Sequence, residues 1–380
     1  MNLNLEVLLK ANLHLMALVP KHIKELSPYK AGKPISEVQR ELGLEHIVKL
    51  ASNENPLGPP ESSIKAAQAS LLECHRYPDA AAFELREKLA TRFDLKMENV
   101  VLGGGSEGVM STIMRTFLKP GDEIVAARNS FIGFRVLANA SGNHTNWIPM
   151  KNYRYDLSSM AGAINDYTKI IYLANPDNPT GTYFTVDEFD SFMYRVPERV
   201  LVLLDEAYFE YAQKVTNFPD SMHYRYDNVI TLRTFSKAYG LAGFRVGYGF
   251  AHADLIGNLL KVKLPFEPAI PAQSAAIAAL DDKQYLEDAL TINAEGMHQI
   301  TTTFDTFELK YIPSVTNFVT LVFDDGSKAK AFTQNMLENG IILRHLIGFG
   351  LPECVRVTIG TADENKFFIE KLNKNMRELI

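Results

Sequence analysis

The chain has 380 residues, 46% of them apolar and 22% charged, which is ordinary for a globular protein but too long for one simple core, so two domains are expected. Its net charge of −6, from 39 basic and 45 acidic residues, gives no global basic field for nucleic acid or an anionic membrane. Any anionic ligand must therefore be held by a few local cations.

Cys74 and Cys354 are far apart and lack CxxC spacing, which argues against zinc and a disulfide framework and fits a reducing cytoplasm. No apolar run reaches the roughly 18–20 residues of a membrane span. The stretch from Leu3 to Pro20 is fairly apolar but is broken by Glu6, Lys10, Asn12 and His14. Neither the basic start nor the small-residue cleavage site of a signal peptide is clear in it, and it reads as an extra arm or helix, or as an upstream extension.

Along the chain, Leu26-Ser27-Pro28-Tyr29-Lys30 precedes a short segment with Pro34 and Gly43. Residues 50–59, Leu-Ala-Ser-Asn-Glu-Asn-Pro-Leu-Gly-Pro, have the composition of a loop. Pro59 and Pro60 suit the first turn of a helix over 62–73. Arg76-Tyr77-Pro78-Asp79 is a turn, and a second amphipathic helix is expected over 82–93, with Phe83, Leu85, Leu89 and Phe93 near one face. Strand-like 100–102 runs into Gly103-Gly104-Gly105-Ser106-Glu107-Gly108 and a helix to about 118. A strand, a glycine turn and a helix N-terminus together make an anion site from backbone N–H groups. Pro120-Gly121-Asp122 then turns into a strand over 123–127.

Helices and strands go on alternating. A helix is expected near 134–140, after Ser130 and Phe131, and a buried strand over 169–174. That strand ends in the rigid turn Asn175-Pro176-Asp177-Asn178-Pro179-Thr180-Gly181. Thr185 and Glu188 have the spacing of a capping box. Residues 200–204 are five apolar residues in a row, a central parallel strand, and lead to Asp205-Glu206-Ala207-Tyr208. A strand over 228–232 leads into residues 234–248, Thr-Phe-Ser-Lys-Ala-Tyr-Gly-Leu-Ala-Gly-Phe-Arg-Val-Gly-Tyr, and 246–250 is another strand. Chemically capable residues thus recur just after strand C-terminal ends, where open α/β sheets bind ligands. From about 271 the pattern becomes a long helical stretch to 304, then a strand over 315–323, a helix to 339, strands over 341–344 and 355–359, and a last helix from a capping box at Thr361 and Glu364. This reads as a small α+β domain. The residues before about 45 are expected to join it or to cross to a partner.

Lys237 sits beside Arg245, with glycines at 240, 243 and 247 and no acidic residue in the loop. Neighbouring cations and burial lower a lysine's pKa and make its amine nucleophilic. An amine and a phosphate grip in one place suit pyridoxal phosphate, held on the lysine as a Schiff base.

Residues 236–245, Ser-Lys-Ala-Tyr-Gly-Leu-Ala-Gly-Phe-Arg, resemble the cofactor-lysine signature of fold-type I aminotransferases, and more narrowly of the histidinol-phosphate aminotransferase family. Asn53-Glu54-Asn55-Pro56-Leu57-Gly58, Asn178-Pro179-Thr180-Gly181 and Asp205-Glu206-Ala207-Tyr208 match further elements of that family, in family order. The resemblance spans nearly everything from Pro28 to the last helix. It implies a large domain over 46–270 with a mostly parallel sheet, a small domain over 271–380, and an arm over 1–45 that contributes to the small domain.

For the site, the resemblance implies Lys237 as the cofactor lysine and Asp205 at the pyridine nitrogen. Asn178 and Tyr208 are implied at the phenolic oxygen, and Phe131 on the ring where the family usually has Tyr. Gly105, Ser106, Thr234, Ser236 and Arg245 would form the phosphate cradle, with Tyr77 reaching over from a second subunit. Gly104 stands where many relatives have Asn. Tyr29, Asn53, Asn178, Arg344 and Arg356 are implied at the substrate. No metal is implied. The resemblance further implies a cytoplasmic homodimer that moves an amino group between L-histidinol phosphate and 2-oxoglutarate in histidine biosynthesis.

An aromatic-amino-acid transaminase of the same family remains open. The lysine signature argues against a decarboxylase of a phosphorylated amino acid on this fold. No basic helix-turn-helix pattern precedes Asn53, so the sensing half of a transcription regulator is not expected.

Overall fold

The structure, a computed structural model, describes residues 18–28, 32–222 and 226–379, with side chains as far as 374. Tyr29 and residues 1–17 of the expected arm lie outside the described residues.

Thirteen strands occur among the described residues: β1 (Val48–Lys49), β2 (Val100–Gly103), β3 (Glu123–Ala127), β4 (His144–Ile148), β5 (Thr168–Ala174), β6 (Leu201–Asp205), β7 (Val229–Thr234), β8 (Gly247–Phe250), β9 (Tyr311–Ile312), β10 (Phe318–Val322), β11 (Ile341–Ile342), β12 (Arg344–His345) and β13 (Cys354–Thr358). Seven form one sheet in the order β2-β8-β7-β6-β5-β3-β4. Strands β3 to β7 pair in parallel, and β8 is antiparallel to both β7 and β2. The apolar run of β6 stands at the centre and is buried throughout. Alternate residues of β5 and β6 enter different cores, Tyr172 and Leu203 one, Leu173 and Leu204 the other. Packing on both faces is why these strands read as unbroken apolar runs.

The second sheet is antiparallel, in the order β12-β13-β10-β9, and packs on the helices Lys283–Thr306, Gly326–Glu338 and Ala362–Leu379. A short parallel pair, β1 with β11, ties residues 48–49 to 341–342. Val38 packs with Ala51 and Ile342 on the same side, and Val48 and Leu50 enter the core behind the four-stranded sheet.

Several boundaries differ from the sequence reading. β4 reads His-Thr-Asn-Trp-Ile and pairs only with β3 at the sheet edge; with little apolar signal to mark it, it was not expected as a strand. The stretch 341–344 splits into β11 and β12, which serve different sheets. The helical stretch after 270 breaks at Asp282, whose carboxylate accepts from Tyr285 N at 3.1 Å and caps the second helix. The helix Ile270–Asp281 buries Ala272, Ala275, Ala276 and Ala279 in the core under β2 and β8. Both expected capping boxes form: Thr185 N donates to Glu188 at 2.7 Å and Thr361 N to Glu364 at 2.8 Å.

Candidate active site

A cleft of about 240 Å³ opens at the C-terminal ends of β5, β6 and β7. Its lining includes Ser106, Phe131, Asn178, Asp205, Tyr208, Thr234, Ser236, Lys237 and Arg245, so nine residues singled out in the sequence, from 106 to 245, meet in one place.

One wall is built for an anion. The helix Gly105–Phe117 starts directly after β2 and points its N-terminus into the cleft. Gly105 has φ of +79°, and a Cβ there would lie 2.7 Å from Arg245 Nη2. A Cβ on Gly247 in β8 would lie 2.4 Å from Ser106 N. Glycine at both positions lets the guanidinium and the helix N-terminus converge. Arg245 Nη1 donates to Ser236 Oγ at 3.3 Å, and Thr234 Oγ1 donates to Ser236 Oγ at 3.0 Å. Glu107, which the sequence reading did not single out, also lines the cleft, 3.7 Å from Arg245.

Lys237 Nζ donates to Ser52 O at 3.4 Å. Burial first, then the Arg356 charge, lowers its pKa to about 8. Asp205 is 4% exposed at the end of β6 and accepts from Tyr172 OH at 2.8 Å and Ala207 N at 3.2 Å. Burial raises its pKa to about 7, with the Glu107 and Glu206 charges adding to the rise. A buried carboxyl with acidic neighbours is matched by a cationic ligand group.

Asn178 Oδ1 accepts from Arg356 Nη1, which leaves its amide nitrogen to donate. Tyr208 OH accepts from Asn53 Nδ2 at 2.8 Å, so the phenolic hydrogen remains available to the cleft. Burial pushes the Tyr208 pKa up to about 12 and keeps it a donor. Asn53 is itself fixed, with Thr358 Oγ1 donating to its Oδ1 at 3.0 Å and Asn317 Nδ2 to its carbonyl at 3.1 Å.

Arg356 Nη2 donates to Ala51 O at 2.8 Å. Arg344 and Arg356 are direct cross-strand partners in the β12–β13 pair. Their side chains therefore share one face of the small sheet, and both guanidiniums lie 5.9 Å from the Phe349 ring centre. Arg344 and Tyr77 stand outside the cleft lining. Tyr77 is 79% exposed and stacks on Phe266 at 4.4 Å.

The sequence reading missed the support behind Phe131 and Asn178. Asp177 is fully buried, accepts from Ser130 Oγ at 2.5 Å and from Thr180 Oγ1 at 2.8 Å, and so ties the residues preceding Phe131 and Asn178 together. Tyr155 OH lies 2.7 Å from Ser130 Oγ. The available signal was adjacency: Asp177 and Ser130 each precede a residue already singled out. Among the described residues, no group of three or more His, Cys, Asp or Glu side chains could hold a metal, and no helix is long and apolar enough to cross a membrane.

The donors fit pyridoxal 5′-phosphate: an amine of lowered pKa, a buried acid facing a ring nitrogen, two donors for a phenolate and a glycine-opened anion cradle. Fold and chemistry together define the class, a fold-type I enzyme that uses this cofactor. Residues 45–372 match the family model of aminotransferase class I and II. The chain is 40% identical to histidinol-phosphate aminotransferase 1 of Idiomarina loihiensis over 96% of this chain and 99% of that one. It is 41% identical to the histidinol-phosphate aminotransferase of Moorella thermoacetica over 94% of each. The crystal structure of histidinol-phosphate aminotransferase from Sinorhizobium meliloti in complex with pyridoxal-5′-phosphate is 28% identical, with a TM-score of 0.88 over 96% of this chain and 99% of that one. An aspartate aminotransferase from Thermus thermophilus, 19% identical at a TM-score of 0.80, shares the fold. The chain belongs to the class I and II aminotransferases and, within them, to the histidinol-phosphate aminotransferase family.

Proposed function

We propose that this protein moves an amino group between L-histidinol phosphate and 2-oxoglutarate, giving imidazole acetol phosphate and L-glutamate, as a step of histidine biosynthesis in the cytoplasm. The observation that carries the substrate reading is the cross-strand pairing of Arg344 and Arg356. Like charges directly opposite each other repel, and a dianionic phosphate lying across both offsets that repulsion with charge-assisted hydrogen bonds.

When bound, pyridoxal phosphate supplies an electrophilic carbon for the amine and an electron sink for the pair left at the substrate Cα. Lys237 would hold the cofactor through its amine, and its Nζ, when free, would accept the substrate Cα proton as a general base. Asp205 would hold the pyridine nitrogen and favour its protonated form by charge pairing. Tyr208 and Asn178 donate to the phenolic oxygen, while Arg356 and Asn53 orient those two side chains. Phe131 would pack on the ring, and Gly105, Ser106, Thr234, Ser236 and Arg245 would hold the phosphate. Arg356 also receives the α-carboxylate of glutamate in the other half of the cycle.

The same reading has the active unit as a homodimer, with Tyr77 donating to the cofactor phosphate of the neighbouring subunit and Tyr29 closing the substrate site. The exposed stack of Tyr77 on Phe266 supports such a contact. We further propose a division into domains near residues 45 and 270, with the helix Ile270–Asp281 packed on the large sheet as the first element of the connection.

The test is a donor screen with 2-oxoglutarate as acceptor. Histidinol phosphate is expected to exceed Phe, Tyr, Trp, His and Asp in kcat/KM. An aromatic amino acid in first place would replace the reading with that of an aromatic-amino-acid transaminase.

A further inference from the structure

Two neighbouring strand ends each carry one residue that faces the cleft and one that faces away from it. On β6 and just beyond, these are Asp205 and Glu206; on β7 they are Thr234 and Arg233. Successive side chains of a strand alternate between its faces, so Glu206 and Arg233 meet behind the cleft. Glu206 is 0% and Arg233 1% exposed. Arg233 Nε donates to Glu206 Oε2 at 2.9 Å, and its Nη2 lies 2.8 Å from the same oxygen and 3.2 Å from Asp220 Oδ1. Ser221 Oγ donates to Glu206 Oε2 at 2.9 Å. The guanidinium lies 3.4 Å from the ring centre of Phe209 and 5.2 Å from that of Phe93. Glu206 Oε1 is buried without a hydrogen bond.

Stability does not account for this arrangement. Stripping water from two charges costs roughly several kcal/mol per ion, and apolar residues of similar size often serve a core as well or better. Its location does account for it. The β6–β7 ladder ends at the Asp205–Leu232 pair, where Glu206 N donates to Leu232 O at 2.8 Å. The ion pair carries the connection one residue further, to the immediate neighbours of Asp205 and Thr234.

We propose that Arg233 and Glu206 are positioning residues for the cofactor. Their ion pair fixes the acid at the ring nitrogen relative to the segment 234–237, which holds the phosphate and supplies the lysine, so that both ends of one rigid ligand meet their partners together. A displacement of about 1 Å in such a constellation costs on the order of a hundredfold in rate. The inference rests on the reading of the cleft as a pyridoxal phosphate site. The reading itself is tested separately: wild type with added pyridoxal phosphate should show a visible band that Lys237→Ala loses, no band in wild type would overturn the cofactor reading, and a band kept by Lys237→Ala would overturn Lys237 as its holder, whatever Arg233 and Glu206 do.

The positioning role is tested with Glu206→Leu together with Arg233→Met, and with the isosteric Glu206→Gln. Each is purified and followed by apoprotein melting, cofactor titration and the pH at which the visible band changes form. Glu210, Asp220 and Tyr248 act electrostatically on the same pair and remain in all variants. The apolar double variant is expected to melt near the wild type, to bind the cofactor at least about tenfold more weakly and to shift the spectral transition, with Arg233→Lys falling between. If the double variant does not fold, Glu206→Gln alone decides. Wild-type cofactor affinity with an unshifted spectral transition, in the double variant or in a folded Glu206→Gln, overturns the proposal even where melting is lowered.

Discussion

The cofactor role proposed for Lys237 draws on ordinary forces: burial in the cleft and the nearby Arg356 charge bring its pKa from 10.5 to about 8. The amine is neutral above that value and protonated below it. The rate at which apoprotein takes up pyridoxal phosphate should therefore rise with pH through a midpoint near 8 and level off above it, well short of an unperturbed lysine, as stopped-flow absorbance can follow. Asp205 shows the opposite displacement, raised from 3.8 to about 7 by burial. Folded apoprotein thus binds this proton more tightly than the unfolded chain does. Asp205 lowers apoprotein stability as pH climbs from roughly 4 to 7, to a limit of roughly 4 kcal/mol at about 1.4 kcal/mol per pKa unit. Asp205→Asn should raise the apoprotein melting temperature at pH 8 while cutting turnover by orders of magnitude. A variant that melts lower than wild type at pH 8 would show that Asp205 is stabilised by its hydrogen bonds more than it is penalised by burial.

At the scale of elements, the site is a set of strand ends. Thr234 precedes Lys237 because β7 stops there, and Asp205 closes β6 one strand away. The small sheet sets the two arginines proposed for the substrate anion by a register, Arg344 opposite Arg356. That register carries a prediction. Each charge-assisted hydrogen bond is worth roughly 1.5–3 kcal/mol, so Arg344→Ala should slow the histidinol-phosphate half-reaction about tenfold to several hundredfold. The glutamate half-reaction should suffer less. Arg356→Ala should harm both, because its guanidinium also orients Asn178. Single-turnover kinetics with each donor decide the matter, and equal losses in Arg344→Ala would remove its phosphate-specific role.

At the scale of the whole molecule, Tyr77 and Phe266 stack on each other with their outer faces in solvent. Two large aromatic residues held in this way fit the proposed contact with a second copy. Sedimentation should give a dimer at working concentration. Tyr77→Phe should keep the dimer and weaken cofactor binding by one hydrogen bond, roughly 1.5–3 kcal/mol for a bond to a charged phosphate. A fully active monomer would remove the shared site.

The sequence by itself determined the central strands of the large sheet, because β5, β6 and β7 are buried on both faces and their apolar runs need no partner to be recognised. It also determined most of the cleft lining, because each reactive group follows a strand end or a glycine turn, and both are local features. Only the tertiary structure decided how those groups are held. Asn53 and Tyr208 are 155 positions apart, and Arg356 and Asn178 are 178 apart, so no periodicity or turn chemistry records their contact. The edge strand β4 and the split between β11 and β12 were hidden for the same reason, since pairing and not local pattern defines them. The Arg233–Glu206 pair was hidden by alternation: each residue stood in sequence beside one already assigned to the cleft, and only the sheet shows that they turn away from it and toward each other.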